Sequence, residues 1–340
     1  MLRQRFLTIT AFLFSISLNA AAGFWQTLFG DGDHSFVCYS RVHRNYYLVI
    51  FAAVLVITLI TWTRYRLKKK VARQLKRQND LIEAQNRDLL ASIRYASRLQ
   101  EAQKPQAGLL KKLIPESFFW LQPRDIVSGD FYFVEEWQGR IIIVAADCTG
   151  HGVPGAFLTF IGNNALRQVL DRTAGENLSP SVILDAMNTE VKKALGQERP
   201  QNEINDGMEV AICIVDKKSG RLEYAGAGAP LYLVRDGKLE EIKPAKCTVG
   251  SIQPHIKEPP KTHAFHLRPG DAFYLCSDGI ADQFGGKDGK KFRREQVKAM
   301  IASLHPVAME QQQDKAEKII GEWMKGFAQT DDMLLAGIRI

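Results

Sequence analysis

The 340-residue chain carries 45 Lys and Arg against 37 Asp and Glu, a formal net charge of +8, with 46% hydrophobic residues and five cysteines. That apolar content excludes a disordered chain, the length and sparse cysteine exclude a small disulfide-framed domain, and ordinary Gly and Pro usage excludes collagen-like or low-complexity sequence. Eight basic residues and no acid lie between Arg64 and Arg77, which leaves the remainder balanced at 37 against 37. Charge so confined argues against a nucleic-acid partner, which needs a basic surface spread over a folded face.

In chain order, Arg3 and Arg5 lead into the apolar stretch Phe6 to Phe14 and then small residues ending in Ala20, Ala21 and Ala22. This is the layout of a secretory signal, so residues 1–22 are either cleaved near Ala22 or kept as a first membrane span. Both readings put residues 23–45 outside as a short extracytoplasmic segment, too small for a sensor domain of its own. Residues 46–63, YYLVIFAAVLVITLITWT, hold no charge and suffice to cross roughly 30 Å of hydrocarbon as a helix. Trp62 and Tyr65 mark an interface, and the basic run places everything after Arg64 in the cytoplasm. Cys38 is then external, while Cys148, Cys213, Cys247 and Cys276 stay reduced.

Residues 64–112 read as a basic juxtamembrane and helical linker. Leu75, Asn79, Ile82, Asn86, Leu89, Ile93 and Ala96 step by four and three, a heptad seam whose two Asn set register and favour a two-stranded homodimer. A lone amphipathic helix packed on its own domain is the other reading of that stripe. Pro105 and Pro115 close the helical stretch, so a domain covering 118–340 follows.

In that domain FYFVEEW, RIIIVAAD, MEVAICIVD, RLEYAGA, PLYLVRD, KLEEI, AFYLCSD and MLLAGIRI read as strands, and RDGK at Arg235–Lys238 as a hairpin turn. Helices are expected over Ala156–Leu170, over Pro180–Leu195 with Ser179 as N-cap, and over Gln311–Phe327. Hairpin-linked strands with helices inserted between them define an α+β domain with sheets covered by helices.

Carboxylates stand where strands begin or end: Asp130, Asp147, Asp278 and the pair Asp331 and Asp332. Gathered together they would repel unless multivalent cations lay among them, and hard oxygen donors favour Mg²⁺ or Mn²⁺. The cysteines lack CxxC spacing, and His151, His255, His263 and His266 form no ligand helix, so zinc is disfavoured. Asp147 leads into CTGHGVPGAF, a Gly-rich turn that feeds a helix without the GK[ST] ending of a Walker loop.

DIVSGDFYF, VAADCTGHGVPGAF, DGMEVAICIVD, YAGAGAPLYLVRDG, GDAFYLCSDGIADQFGG and TDDMLLAGIRI, in this order, resemble the bacterial PPM (protein phosphatase 2C-like) serine/threonine phosphatases of the stage II sporulation protein E type, over roughly Ile93–Ile340. The resemblance implies a PPM-type β-sandwich flanked by helices (αββα), behind the membrane helix and coiled-coil linker. It implies two Mn²⁺ or Mg²⁺ ions, bridged by Asp147. The Cys148 carbonyl would serve the second ion, Asp278 and Asp331 the first, and Asp130 would act directly or through water. Asp332 matches a position often occupied by Asn. His151 is a candidate acid for the leaving oxygen. Hydrolysis would proceed by in-line attack of a metal-activated water, without a phosphoenzyme.

Glu209 stands where similar sequences often have Asp, Cys148 where a small aliphatic residue is common, and no Arg near the domain's start stands out as a phosphate clamp. The substrate implied is phosphoserine or phosphothreonine on a small regulatory protein of the STAS-domain, anti-sigma-antagonist kind, reached from the bacterial inner membrane. A different class of function is a catalytically silent membrane-anchored module that docks a phosphoprotein. The retained Asp147, Asp278 and Asp331 argue against it.

Overall fold

The computed structural model describes residues 34–173, 178–197, 205–251 and 259–340. The expected signal or first span, residues 23–33 of the outer segment, and His255 lie outside them. The chain divides into two units, 1–85 and 86–340.

Helix α1 (His34–Gln103) is continuous over 70 residues. Within it an 18-residue window reaches a mean hydropathy of 2.1, and none of it is buried against the other described residues. Tyr46, Val49, Ile57 and Leu59 are each at least half exposed, so this is no core helix. At its basic end the Arg66 guanidinium lies 4.1 Å over the Trp62 ring. The helix stops short of Pro105, and α2 (Ala107–Leu113) ends before Pro115, as the prolines require.

The larger unit holds two five-stranded antiparallel sheets. One has the order β1 (Ser117–Gln122), β12 (Met333–Arg339), β9 (Ala272–Cys276), β6 (Leu231–Arg235), β7 (Lys238–Ile242). The other runs β2 (Asp130–Trp137), β3 (Arg140–Cys148), β4 (Met208–Asp216), β5 (Arg221–Ala227), β8 (His263–His266). Helices α3 (Gly152–Arg172) and α4 (Pro180–Ala194) cover the second sheet, and α6 (Arg293–Leu304) and α7 (Met309–Trp323) the first. A short α5 (Gly279–Asp282) and a two-stranded ribbon, β10 (Phe284–Gly285) with β11 (Lys290–Lys291), complete it. This is the expected αββα sandwich.

Three cores explain why the central strands read as unbroken apolar runs rather than alternating ones. In β3, Ile142, Val144 and Ala146 pack under α3 and α4, while Ile141, Ile143 and Ala145 face the other sheet. In β9, Phe273 and Leu275 face that same interior, while Ala272, Tyr274 and Cys276 pack under α6 and α7. A strand buried on both faces has no polar face to display.

All eight expected strands form, and the RDGK turn takes positive φ at both Asp236 (50°) and Gly237 (72°), the geometry of a two-residue type I′ hairpin. Three details correct the sequence reading, one being that the helix expected over Gln311–Phe327 is α7, which starts at Met309 and ends at Trp323. Helix α3 begins four residues before Ala156, at Gly152. Ser179 stands at the N-cap of α4 but makes no side-chain cap bond; the Ser181 N–H donates instead to Thr262 Oγ1 at 3.2 Å, from a segment 81 residues away. Strands β1 and β8 and helix α6 escape the sequence patterns altogether.

Candidate metal centre

Strand register assembles the first half of the site. Asp130 lies directly opposite Asp147 on the neighbouring strand, and Asp147 directly opposite Glu209 on the next. Opposed residues project to one face of a sheet, so the three carboxylates form a row, and strand alternation puts that row on the face turned toward the other sheet. The sheet that contains β9 and β12 supplies the rest. Asp278 follows β9 and the pair Asp331 and Asp332 precedes β12, and the antiparallel pairing of these strands brings both to the same edge, tied by Ser277 N–H to the Leu334 carbonyl (3.0 Å) and Leu334 N–H to Ser277 Oγ (2.9 Å). The Asp278 N–H points to Asp147 Oδ2 at 3.4 Å and closes the gap between the sheets.

The acids differ in depth. Asp130 is buried, Asp147, Glu209 and Asp331 are half-buried, and Asp278 is exposed at the rim. Burial pushes the Asp130 carboxyl well above the usual carboxylate range; Ser277 pulls against it, and Asp332, Asp331 and Asp278 push the same way. Burial likewise raises Asp147, helped by Asp130 and Asp278. Glu209 is raised by burial and by Asp278, with Arg294 opposing. Among the described residues these acids enter no ion pair; such pairs form elsewhere, as in Arg235 with Asp271 and Lys291 with Asp282.

Two carboxylates hold loops. Asp332 accepts the Arg124 N–H at Oδ1 (2.7 Å) and the Gly129 N–H at Oδ2 (2.6 Å), so both its oxygens serve the segment between β1 and β2. Arg124 itself directs its guanidinium to the Thr330 carbonyl at 3.0 Å. Asp331 Oδ1 accepts the Asp332 N–H at 2.9 Å. The Gly-rich turn after Asp147 packs against that same segment at points where only glycine fits: a Cβ on Gly129 would stand 2.4 Å from the Gly150 carbonyl oxygen, and one on Gly155 2.3 Å from it. Thr149 binds the turn to the start of β4, its N–H donating to the Gly207 carbonyl at 2.9 Å and its Oγ1 accepting the Gly207 N–H at 3.1 Å.

Divalent cations fit this donor set by chemistry. The oxygens are hard, Asp130 Oδ2 is buried with no hydrogen-bond partner, and the Cys148 thiol, raised by burial, points into the helix-side core and leaves only its carbonyl for the site. Among the described residues, however, no three His, Cys, Asp or Glu side chains already stand closed around one point. The acids are gathered, not collapsed, as mutual repulsion dictates.

Of the residues expected from sequence, Asp130, Asp147, Asp278, Asp331 and Asp332 share this end of the sandwich. His151 does not join their row; its Nδ1 lies 2.9 Å from Asp125 Oδ2. Sequence reasoning missed Asp125, the loop-holding role of Asp332, and Glu209 as a further acid in the row. Glu209 alone had a legible signal, an acid at the start of the apolar run MEVAICIVD as Asp147 is an acid at the end of RIIIVAAD.

The αββα sandwich with carboxylates at one end of its facing sheets is that of the PPM phosphatases, and the chain is a protein serine/threonine phosphatase of that class. It belongs to the family Stage II sporulation protein E (SpoIIE), whose profile matches residues 138–340. The SiaA-PP2C domain of Pseudomonas aeruginosa is 28% identical, with a TM-score of 0.67, covering 75% of this chain and 98% of that one. The PP2C domain with a regulatory fragment of SpoIIE from Bacillus subtilis (17% identity, TM-score 0.51, 66% and 63% coverage) shares the fold. So do the RsbU and RsbW domains of Rv1364c from Mycobacterium tuberculosis (20%, 0.51, 67% and 61%). Comparison with curated proteins yields no match.

Proposed function

We propose that this chain is a membrane-anchored, metal-dependent phosphoserine/phosphothreonine phosphatase acting on a small regulatory phosphoprotein of the STAS-domain, anti-sigma-antagonist kind. The observation that carries the metal dependence is the buried Asp130 oxygen without a partner, set beside Asp147, which burial and Asp130 also raise; among the described residues neither has a basic side chain in ion-pair contact. Such a site is unfavourable until cations offset it.

Asp147, Asp278 and Asp331, with the Cys148 carbonyl and Asp130 directly or through water, would hold two Mn²⁺ or Mg²⁺ ions. When bound, these supply Lewis acidity, easing deprotonation of water and offsetting charge on the phosphoryl oxygens. The chain's own part is placement. The strand ladder fixes the spacing of Asp130 and Asp147, the Asp278 N–H orients Asp147, and Asp332 holds the β1–β2 segment against the Gly-rich turn.

Membrane anchoring rests on the exposed apolar window of α1 and the basic run that follows it, which orients the phosphatase domain toward the cytoplasm at the bacterial inner membrane. The seam from Leu75 to Ala96 is the surface through which a second copy would pair.

The test is hydrolysis of p-nitrophenyl phosphate by the full chain in detergent micelles. Activity should require Mn²⁺ or Mg²⁺, vanish with chelator, and fall by about 10³-fold or more in Asp147→Asn. A folded chain that captures a phosphoprotein stoichiometrically without turnover, or an Asp147→Asn variant as active as wild type, would replace this reading with the silent docking module.

A further inference from the structure

We propose that Asp125 is a positioning residue that holds His151 to protonate the leaving serine or threonine oxygen; this deepens the phosphatase reading and rests on it. The two side chains come from separate elements. Asp125 lies in the segment between β1 and β2, and His151 precedes the first turn of α3, yet His151 Nδ1 and Asp125 Oδ2 are 2.9 Å apart.

His151 occupies the N-cap position of α3, with φ −112° and ψ 175°, but its ring makes no capping bond. Among the described residues, its ring bonds to Asp125 alone. The pair is also too open to matter much for folding: the two side chains are 40% and 50% exposed, where ion pairs contribute little. Gly152 makes the approach feasible. It adopts φ +65°, and a Cβ there would stand 3.1 Å from Asp125 Oδ2, so the carboxylate lies over a residue without a side chain.

The segment bearing Asp125 is itself pinned to the acid cluster. Asp332 takes the N–H groups of Arg124 and Gly129, on either side of Asp125. The carboxylate that steers His151 is therefore fixed relative to the site where phosphorus would bind.

An Asp at Nδ1 holds that nitrogen protonated and leaves Nε2 as the nitrogen that exchanges protons. In hydrolysis, the oxygen of water forms the new P–O bond. The ester P–O bond breaks with its electron pair on the seryl oxygen, which takes the proton from protonated Nε2. The proton lost by the attacking water returns His151 to its starting form through solvent. A serine alkoxide is strongly basic and needs that proton, whereas p-nitrophenolate is a stable anion and needs it far less.

The experiment compares the full chain in micelles with Mn²⁺ on two substrates, p-nitrophenyl phosphate and a phosphoserine peptide, for wild type, Asp125→Asn, Asp125→Glu, His151→Gln and the double variant Asp125→Asn/His151→Gln. Asp125→Asn should lower kcat on the phosphopeptide by about 10²-fold, with a loss at least about tenfold smaller on p-nitrophenyl phosphate. The double variant should be no worse than His151→Gln, and Asp125→Glu should recover part of the loss. An active wild type whose Asp125→Asn variant loses equally on both substrates, or on neither, overturns this role alone. A wild type inert toward both removes the phosphatase reading and this role with it.

Discussion

Asp130 and Asp271 are both carboxylates at 3% exposure, and their surroundings give them opposite tasks. Burial tends to raise Asp271, but Arg235 forks onto it through Nε and Nη2 at 2.6 to 3.1 Å and the Arg268 N–H adds 2.8 Å, so its carboxyl is held below the usual range. A depressed folded value stabilises above the unfolded value of about 3.9 and is lost as pH falls through the folded one. Asp271→Asn should therefore cost about 1–3 kcal/mol in urea unfolding at pH 7, discounted for the part-exposed Arg235, and the difference should shrink toward pH 3. A difference independent of pH would mean the pair is worth only its packing. Asp130 has no such cation, so Asp130→Asn should raise the melting temperature of the metal-free chain while abolishing the rise that Mn²⁺ gives wild type. A Mn²⁺-induced shift that survives the substitution would remove Asp130 from the metal-binding set. The SGD motif made Asp130 legible in sequence, but GDAF gave no sign of Asp271's role, because Arg235 lies 36 residues away.

Elements were legible where burial leaves a pattern and not where distant contacts decide. RIIIVAAD and AFYLCSD announced strands because both their faces are covered. Helix α6 did not announce itself: it starts from Arg293 at φ 68°, without a side-chain cap, behind a two-residue ribbon strand. The end of α1 was placed by Pro105, yet nothing in SRLQEAQ distinguishes Gln100, whose Nε2 donates to the Ser128 carbonyl (2.8 Å) and to Thr159 Oγ1 (2.9 Å) while its Oε1 accepts the Ser128 N–H (3.0 Å). One side chain thus fastens the last turns of α1 both to the residue two before Asp130 and to α3. Gln100→Ala strands both Ser128 backbone groups and should cost about 1–3 kcal/mol of phosphatase-domain stability. Hydrogen exchange should quicken at Ser128–Asp130 and along the first half of α3. Unaltered protection there would show that the glutamine fills space without restraining either element.

For the whole molecule, α1 presents two apolar surfaces that no other described residue covers. The window around Val49 and Ile57 suits hydrocarbon, because a stripe of this length exposed to water is not tolerated by a soluble protein. The second is narrower: Leu75, Ile82 and Leu89 are 56%, 53% and 59% exposed and repeat every seven residues, a seam that only another helix satisfies. Ile93 and Ala96, continuing the same repeat, are already partly buried, so the exposed part of the seam ends before the phosphatase domain begins. A second copy is the simplest occupant, since identical seams match in register and the Asn79 and Asn86 pairs would fix it. Proline at Ile82 removes a helical hydrogen bond and clashes one turn back, at about 3 kcal/mol or more, without touching the acids at the sandwich edge. Ile82→Pro should convert a dimer to a monomer in detergent sedimentation and change turnover of a phosphoprotein while sparing the Mn²⁺-induced thermal shift. If the sedimentation and turnover of the variant match wild type, the seam neither pairs chains nor carries a signal, and its apolar stripe must find another partner.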